Sequence, residues 1–280
     1  PDIVLTHLDF QMFAHVAAHK QPKEATIPLY DDKNVLLSRK DRSSMLNEMF
    51  KKINKGCPWK WAAVIPIDGT PPVAQWQGPL DQMDYKICMS RYGQIVMNKY
   101  FTGCEESTYI PHGVDCKFFK PKLNPMYGNK ALKDIAGDAF IVGCVARNQH
   151  RKNIPQLIKG FKEFVDRNDL SPKDTRLVLH MDWNDGMGWK IPDFCKQYNV
   201  GDYLMPPTMG NLDTGEALTE AGMVELYNCL DVFVLPTAGE GFGIPTIEAM
   251  ACGTPVAVTN YTTAWEIIKE DNPETADIPL

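Results

Sequence analysis

Apolar runs of strand length alternate with segments of helical periodicity along most of the chain, a rhythm that predicts an α/β fold with parallel sheets. The chain opens on PDIVLTH (1–7), an apolar strand with no element before it. Helical patterns are expected near Phe10–His19 and Arg42–Lys55. WAAVIPIDG (61–69) reads as a buried strand ending in a Pro/Gly turn. DYKICMS (84–90) is a further strand, RYGQIVMNKY (91–100) a helix, and STYIPHGVD (107–115) a strand ending in a turn signal. Periodicity is then lost from about Lys117 to Asp138, where CKFFKPKLNPMYGNK (116–130) is rich in Lys, Pro and Asn and reads as a linker. The rhythm restarts with the strand AFIVGCVAR (139–147). A helix follows over 153–167, with Leu157, Phe161, Phe164 and Val165 on one side. Strands are predicted at TRLVLHM (175–181), DVFVLPT (231–237) and TPVAVTN (254–260). A short helix at IPTIEAMACG (244–253) has Pro245 in its first turn and Gly253 just past its end. Two domains follow from this: residues 1–120 and 139–280, joined by 121–138. A ligand cleft is expected at the carboxyl ends of their strands.

Composition narrows the classes. Of 280 residues, 44% are hydrophobic and 23% charged, enough apolar surface for two cores. The net charge of −6 supplies no global field for nucleic acid or anionic lipid, so a phosphate-bearing ligand needs a local site. The eight cysteines form no C-x-x-C pair and no zinc-like cluster with histidines. Several sit in apolar runs, as in KICMS and VGCVA, which points to a reducing, cytoplasmic setting. No run is long enough for a membrane span and no signal peptide is visible. A peripheral membrane contact and the oligomeric state are left open.

The most informative stretch is LPTAGEGFGIPTIEAMACGTPVAV (235–258). A strand runs into a turn carrying Gly239, Gly241 and Gly243, and a helix starts near Pro245. Glycines let backbone N–H groups approach a ligand, and a helix start adds free donors and a positive dipole end, which suits a phosphate. Glu240 and Glu248 flank this turn. A carboxylate would repel phosphate, so their natural partners are sugar hydroxyls, from which a carboxylate accepts paired hydrogen bonds. The alternative is a capped helix bearing two surface acids. VARNQHRKN (145–153) sets Arg147 and Lys152 after a strand and before a helix. Fixed cations there would stabilise a leaving diphosphate, and a solvated basic loop including His150 and Arg151 is the plain alternative.

EGFGIPTIEAM (240–250) resembles the E-x7-E signature of family 4 retaining glycosyltransferases of the GT-B fold, and ACGTPVAVTNYTTAWEII (251–268) is similar to the run that follows it there. The resemblance implies two Rossmann-like domains facing a cleft. It implies metal-independent, retaining transfer of a sugar from a UDP- or GDP-linked donor to a hydroxyl of a carbohydrate, lipid or protein acceptor, with no other cofactor. Carried over, Glu240 contacts the donor sugar and Glu248 the ribose. Gly241, Phe242, Gly243 and Ile244, with Thr246 in the first helical turn, hold the donor. Arg147 and Lys152 have the family's R-x4-K spacing for a diphosphate clamp, and LYDDKN (29–34) lacks an Asp-x-Asp metal motif. His7 matches the histidine that approaches the donor sugar near the reacting carbon, its alternative being a loop or cap residue. Asp68, Ser90 and Tyr92 end strands of the first half and are acceptor-side candidates.

His112 and His180 read as structural, Trp59, Trp61 and Trp76 as packing by default, and Met205–Pro207 as the base-contacting loop. Measured against the family, strands and a glycine-rich loop before residue 1, and helices after Leu280, are missing, so the chain is expected to be cut at both ends. A nucleotide-sugar-binding module without transfer is therefore the second reading. An epimerase or phosphorylase of the same architecture is a third. A dehydrogenase is disfavoured because no G-x-G-x-x-G follows a strand.

Overall fold

The alternation of apolar runs and helices resolves into two four-stranded sheets, each parallel throughout. The structure, a computed structural model, describes residues 3–7, 60–70, 72, 74–127, 130–205 and 218–268. The helices expected near Phe10–His19 and Arg42–Lys55, Trp59, and residues 206–207 of the expected base-contacting loop lie outside them. The chain divides into two units between Pro111 and His112.

The first unit holds β1 (Ile3–His7), β2 (Lys60–Ile65), β3 (Tyr85–Cys88) and β4 (Thr108–Tyr109), side by side in that order. The helices α1 (Gln77–Gln82) and α2 (Arg91–Tyr100) accompany them. The start of α2 is set by Ser90, whose hydroxyl accepts the Gly93 N–H at 2.9 Å. Trp61, Ile65, Ile67, Leu80, Tyr92 and Met97 are buried together with little or no exposure.

In the second unit the sequence expected as a linker forms a hairpin, β5 (Met126–Tyr127) with β6 (Lys130–Ala131), followed by α3 (Leu132–Ala136). It is fastened to a distant helix, α6 (Glu220–Asn228). The Lys122 N–H bonds Asn228 Oδ1 at 2.7 Å, the Met126 N–H bonds Glu225 Oε2 at 2.9 Å, and Lys122 pairs with Glu225. These partners lie about a hundred residues away, so local periodicity carries no trace of them. The main sheet has β7 (Phe140–Val145), β8 (Thr175–His180), β9 (Val232–Leu235) and β10 (Val256–Val258) in the order β10-β9-β7-β8. The helices are α4 (Ile154–Arg167), α5 (Ile191–Gln197), α7 (Ile244–Ala251) and α8 (Thr263–Ile268). Helix α4 buries Ile154, Leu157, Ile158, Phe161 and Val165 as one stripe, while Phe164 lies at its edge, 36% exposed, and not on the buried face expected for it. Strand order reverses at β7: the chain runs outward to β8 and returns past β7 to β9. The loops after β7 and β9 therefore diverge at neighbouring strand ends, the place where open α/β sheets bind ligands.

Candidate active site at the strand ends of the second unit

The loop after β7 and the turn after β9 are stitched together by main chain. The Ala238 N–H donates to the Arg151 carbonyl at 2.6 Å, and the Thr237 hydroxyl donates to the same oxygen at 3.3 Å and to the Gly239 carbonyl at 2.9 Å. The turn after β9 is also held by Thr262 and Thr263. The Glu240 N–H donates to Thr262 Oγ1 at 3.0 Å, and the Thr263 hydroxyl donates to the carbonyls of Glu240 and Gly241 at 2.8 and 3.0 Å. Gly243 leads into α7 at φ 96°, a left-handed conformation that glycine adopts without strain. Phe242 and Gly243 are buried, Gly241 half-buried and Ile244 41% exposed, while Thr246 is buried in the first helical turn. Phe242 packs edge-on to His112 with ring centroids 5.2 Å apart.

This framework brings Lys152 and Glu240 into direct contact although they are 88 residues apart in sequence. Lys152 Nζ donates to Glu240 Oε1 at 2.5 Å, and both side chains are nearly inaccessible. Arg151 takes the other oxygen, with Nη1 3.2 Å from Glu240 Oε2 and donating to the Gly239 carbonyl at 2.6 Å. Glu240 thus lies between two cations. Burial pushes the Lys152 ammonium below its usual range, the Glu240 carboxylate opposes that shift, and Arg151 adds to it. A desolvated cation held against one acid at a strand end is poised to serve an incoming anion.

Glu248 has a different partner. Its Oε2 accepts the Tyr227 hydroxyl at 2.7 Å, from a ring that is fully buried on α6. Burial raises the Glu248 carboxyl, partly offset by that hydrogen bond, and burial with the neighbouring carboxylate raises the Tyr227 hydroxyl. One carboxylate oxygen is fixed by the fold and the carboxylate is partly desolvated, an arrangement suited to grasping a diol.

Arg147 has a different partner from Lys152. Its Nε donates to Asp185 Oδ2 at 3.0 Å, and its side chain is 62% exposed. The Met187 N–H and Arg147 hold the Asp185 carboxyl below its ordinary range. Asp185 belongs to the loop after β8, which is pinned to the loop after β7 by the buried Asn148. Its Nδ2 donates to the carbonyls of Asp182 at 3.0 Å and Trp189 at 2.7 Å, while its Oδ1 accepts the Trp189 N–H at 2.9 Å. Gly188 is required there, because a Cβ would stand 2.2 Å from the Asn148 carbonyl oxygen. A cavity of about 300 Å³ opens beside these strand ends, lined among others by Arg147, His180, Asp182, Leu218, Met223 and Pro245. Burial lowers the His180 imidazole.

The other sequence-derived candidates lie in the first unit. His7 closes β1, in register with Val64. Asp68 is exposed beyond β2. Ser90 is buried and its hydroxyl caps α2, and Tyr92 is a fully buried core residue, so the two strand-end side chains serve packing in this structure. Sequence reasoning missed Arg151, Asn148, Tyr227, Asp185 and the pair Thr262–Thr263, all of which act through partners more than twenty residues away or through main chain. Among the described residues no group of three or more His, Cys, Asp or Glu side chains could hold a metal ion. No helix among them is long and apolar enough to cross a membrane. Cys88, Cys104, Cys144, Cys195, Cys229 and Cys252 are buried free thiols; burial pushes that of Cys144 up to about 12.

Residues 217–275, which include Glu240 and Glu248, match the family described as glycosyl transferases group 1. Over 173 residues the chain is 29% identical to the lipopolysaccharide core biosynthesis mannosyltransferase LpsB of Rhizobium meliloti (strain 1021), covering 60% of this chain and 45% of that protein. It is 28% identical over 153 residues to a D-inositol 3-phosphate glycosyltransferase of Actinosynnema mirum, covering 52% and 34%. The chain thus spans less than half the length of these curated relatives. Among solved structures, Anabaena Alr3699/HepE in complex with UDP-glucose superposes with a TM-score of 0.61 at 14% identity, over 81% of this chain and 59% of that one. Sucrose-phosphate synthase from Thermosynechococcus elongatus gives 0.58 at 20% identity, over 78% and 53%. The fold is the α/β GT-B fold, and the chain is related to group 1 glycosyltransferases.

Proposed function

We propose that this chain belongs to a retaining glycosyltransferase that moves a sugar from a nucleoside diphosphate sugar to an acceptor hydroxyl without a metal ion. The observation that carries the reading is the buried Lys152–Glu240 contact, 2.5 Å long, at the point where strand order reverses and beside the start of α7. The likeness to the mannosyltransferase LpsB and to HepE, solved with UDP-glucose, supports a nucleotide-sugar donor; whether its base is uracil or guanine is part of the proposal.

In this mechanism the bond between the anomeric carbon and the diphosphate oxygen breaks as negative charge builds on the leaving group. Lys152 and the N–H groups from Gly241 to Ile244 face that charge and stabilise it more in the transition state than in the ground state. Arg147 joins them by exchanging Asp185 for a phosphate oxygen. Glu240 accepts hydrogen bonds from the donor sugar, and Glu248, steadied by Tyr227, accepts those of the ribose. The acceptor hydroxyl attacks from the face the diphosphate leaves, gives its proton to the departing phosphate oxygen, and bonds to the anomeric carbon with retained configuration. The acceptor in this reading is a carbohydrate, lipid or protein.

The test is Glu240→Ala and Lys152→Ala, with donor consumption and the anomer of the product measured. Each variant is expected to lose about 100- to 1,000-fold in turnover, the scale of removing one preorganised charge-stabilising group. Unchanged turnover in both removes the mechanism. Donor binding by the unmodified chain without turnover on any acceptor would leave a nucleotide-sugar-binding module.

A further inference from the structure

We propose that Arg151 is a positioning residue that holds Glu240 and its turn in place while Lys152 is engaged by the donor diphosphate. The proposal rests on the reading of this site as a nucleoside diphosphate sugar site.

The two basic neighbours contact Glu240 in different ways. Lys152 reaches it with a compact ammonium on a flexible stem, through one hydrogen bond to Oε1. Arg151 is tied to the turn at residues 237–240 through both main chain and side chain. Its carbonyl accepts the Ala238 N–H and the Thr237 hydroxyl, while Nη1 donates to the Gly239 carbonyl and pairs with Glu240 Oε2. Arg151 therefore moves with the turn that carries Glu240, whereas Lys152 can leave that carboxylate without unfastening anything else. Arg151 remains 37% exposed where Lys152 is 8% exposed, so Lys152 is the less hydrated cation, the one whose charge a second anion would compensate most.

Charge balance gives Arg151 its task. Glu240 is almost completely buried, and a buried carboxylate keeps its charge and orientation only beside a cation or several donors. When a diphosphate draws on the Lys152 charge, Glu240 would stand close to new negative charge with its main partner shared. Arg151, through Nη1, keeps one oxygen of Glu240 paired and leaves the carboxylate aimed at the sugar hydroxyls. Arg151 itself donates to the Gly239 carbonyl and pairs with the Glu240 carboxylate, which turns it toward the turn at residues 237–240. Its loss should therefore be felt by the sugar part of the donor and by turnover, and not by the diphosphate.

The experiment compares the unmodified chain with Arg151→Gln and Arg151→Lys by calorimetry against UDP, UDP-glucose, GDP and GDP-mannose, and by the rate of donor hydrolysis. For whichever base binds, Arg151→Gln is expected to weaken the nucleotide sugar about 10-fold and to slow turnover about 100-fold, the scale of misplacing a reacting group by about 1 Å. Affinity for the free nucleoside diphosphate is expected to stay within about 2-fold, which also reports that the domain is folded. Arg151→Lys keeps the charge but not the planar guanidinium and is expected to recover part of the turnover. Equal weakening of diphosphate and nucleotide sugar would make Arg151 a phosphate ligand or a general scaffold residue and overturn the proposal. So would an Arg151→Gln variant that binds and turns over like the parent, or an Arg151→Lys variant no better than Arg151→Gln. If no probe binds the unmodified chain, the site reading itself fails, an outcome distinct from a neutral Arg151→Gln.

Discussion

Two strand ends of this protein look alike in sequence and differ in what they do. The turn after β3 begins Ser90-Arg91-Tyr92 and opens α2; the turn after β9 carries Glu240 and opens α7. Both follow a parallel strand, both put polar residues at its carboxyl end, and both lead into a helix. At the first, polarity is spent locally: the Ser90 hydroxyl accepts the Gly93 N–H three residues on and caps the helix, and the Tyr92 ring fills the core. At the second, the helix begins on a glycine with no side-chain cap, and the polar groups are engaged by residues far along the chain. Being at a strand end is thus not sufficient. On the function proposed above, a buried charge kept by partners from another loop marks the strand end that serves a ligand, where local capping serves the fold.

The largest expected effect that could break this contrast is on stability. Lys152→Ala should cost about 3 kcal/mol, toward the low end for breaking a buried ion pair because Arg151 still faces Glu240. The double variant Lys152→Ala/Glu240→Gln should cost less than Lys152→Ala alone, since no uncompensated charge is left inside. Denaturant melts of the two variants decide it, and an additive double variant would mean the pair is only a surface contact. Ser90→Ala should cost about 1 kcal/mol, the usual loss of a helix cap, with nucleotide binding by calorimetry unaltered. A change in nucleotide affinity would erase the distinction between the two turns.

The smallest effect concerns Glu248. Burial raises its carboxyl above the ordinary 4.5, so the folded state holds that proton more tightly than the unfolded chain. The stability this contributes is complete below pH 4.5 and is lost as pH rises through the folded-state value. Glu248→Gln should therefore melt a few degrees above the parent at neutral pH, and the difference should vanish below pH 4.5. Thermal melts across that range give the result, and parallel curves would mean that Glu248 is not held at the expense of stability.

Much of the second unit was legible without coordinates. The apolar run AFIVGCVAR became β7, because a strand buried on both faces has to be largely apolar, and TRLVLHM became the edge strand β8 around its buried Leu177, Val178 and Leu179. The punctuation of α7 by Pro245 and Gly253 was equally local: Gly253 adopts φ 81° just past the helix, where a Cβ would meet Pro121 at 3.2 Å. Stretches with weak local patterns fared differently. The 121–138 segment looked like a linker because its hairpin answers to α6, and Phe164 looked like core because a stripe read from sequence has no defined edge.

The residue types of the site and their order belong to the sequence alone: two acids around glycines, two cations after a strand, and the periodicity that makes the sheets parallel. These are consequences of backbone conformation and side-chain chemistry acting within a few residues. Which groups meet was decided by the tertiary structure. It set Lys152 and Arg151 against Glu240, turned Arg147 toward Asp185, and gave Glu248 a tyrosine 21 residues away. The reason is that ion pairing and desolvation depend on distance in space, which follows from the order of strands in the sheet and not from spacing along the chain.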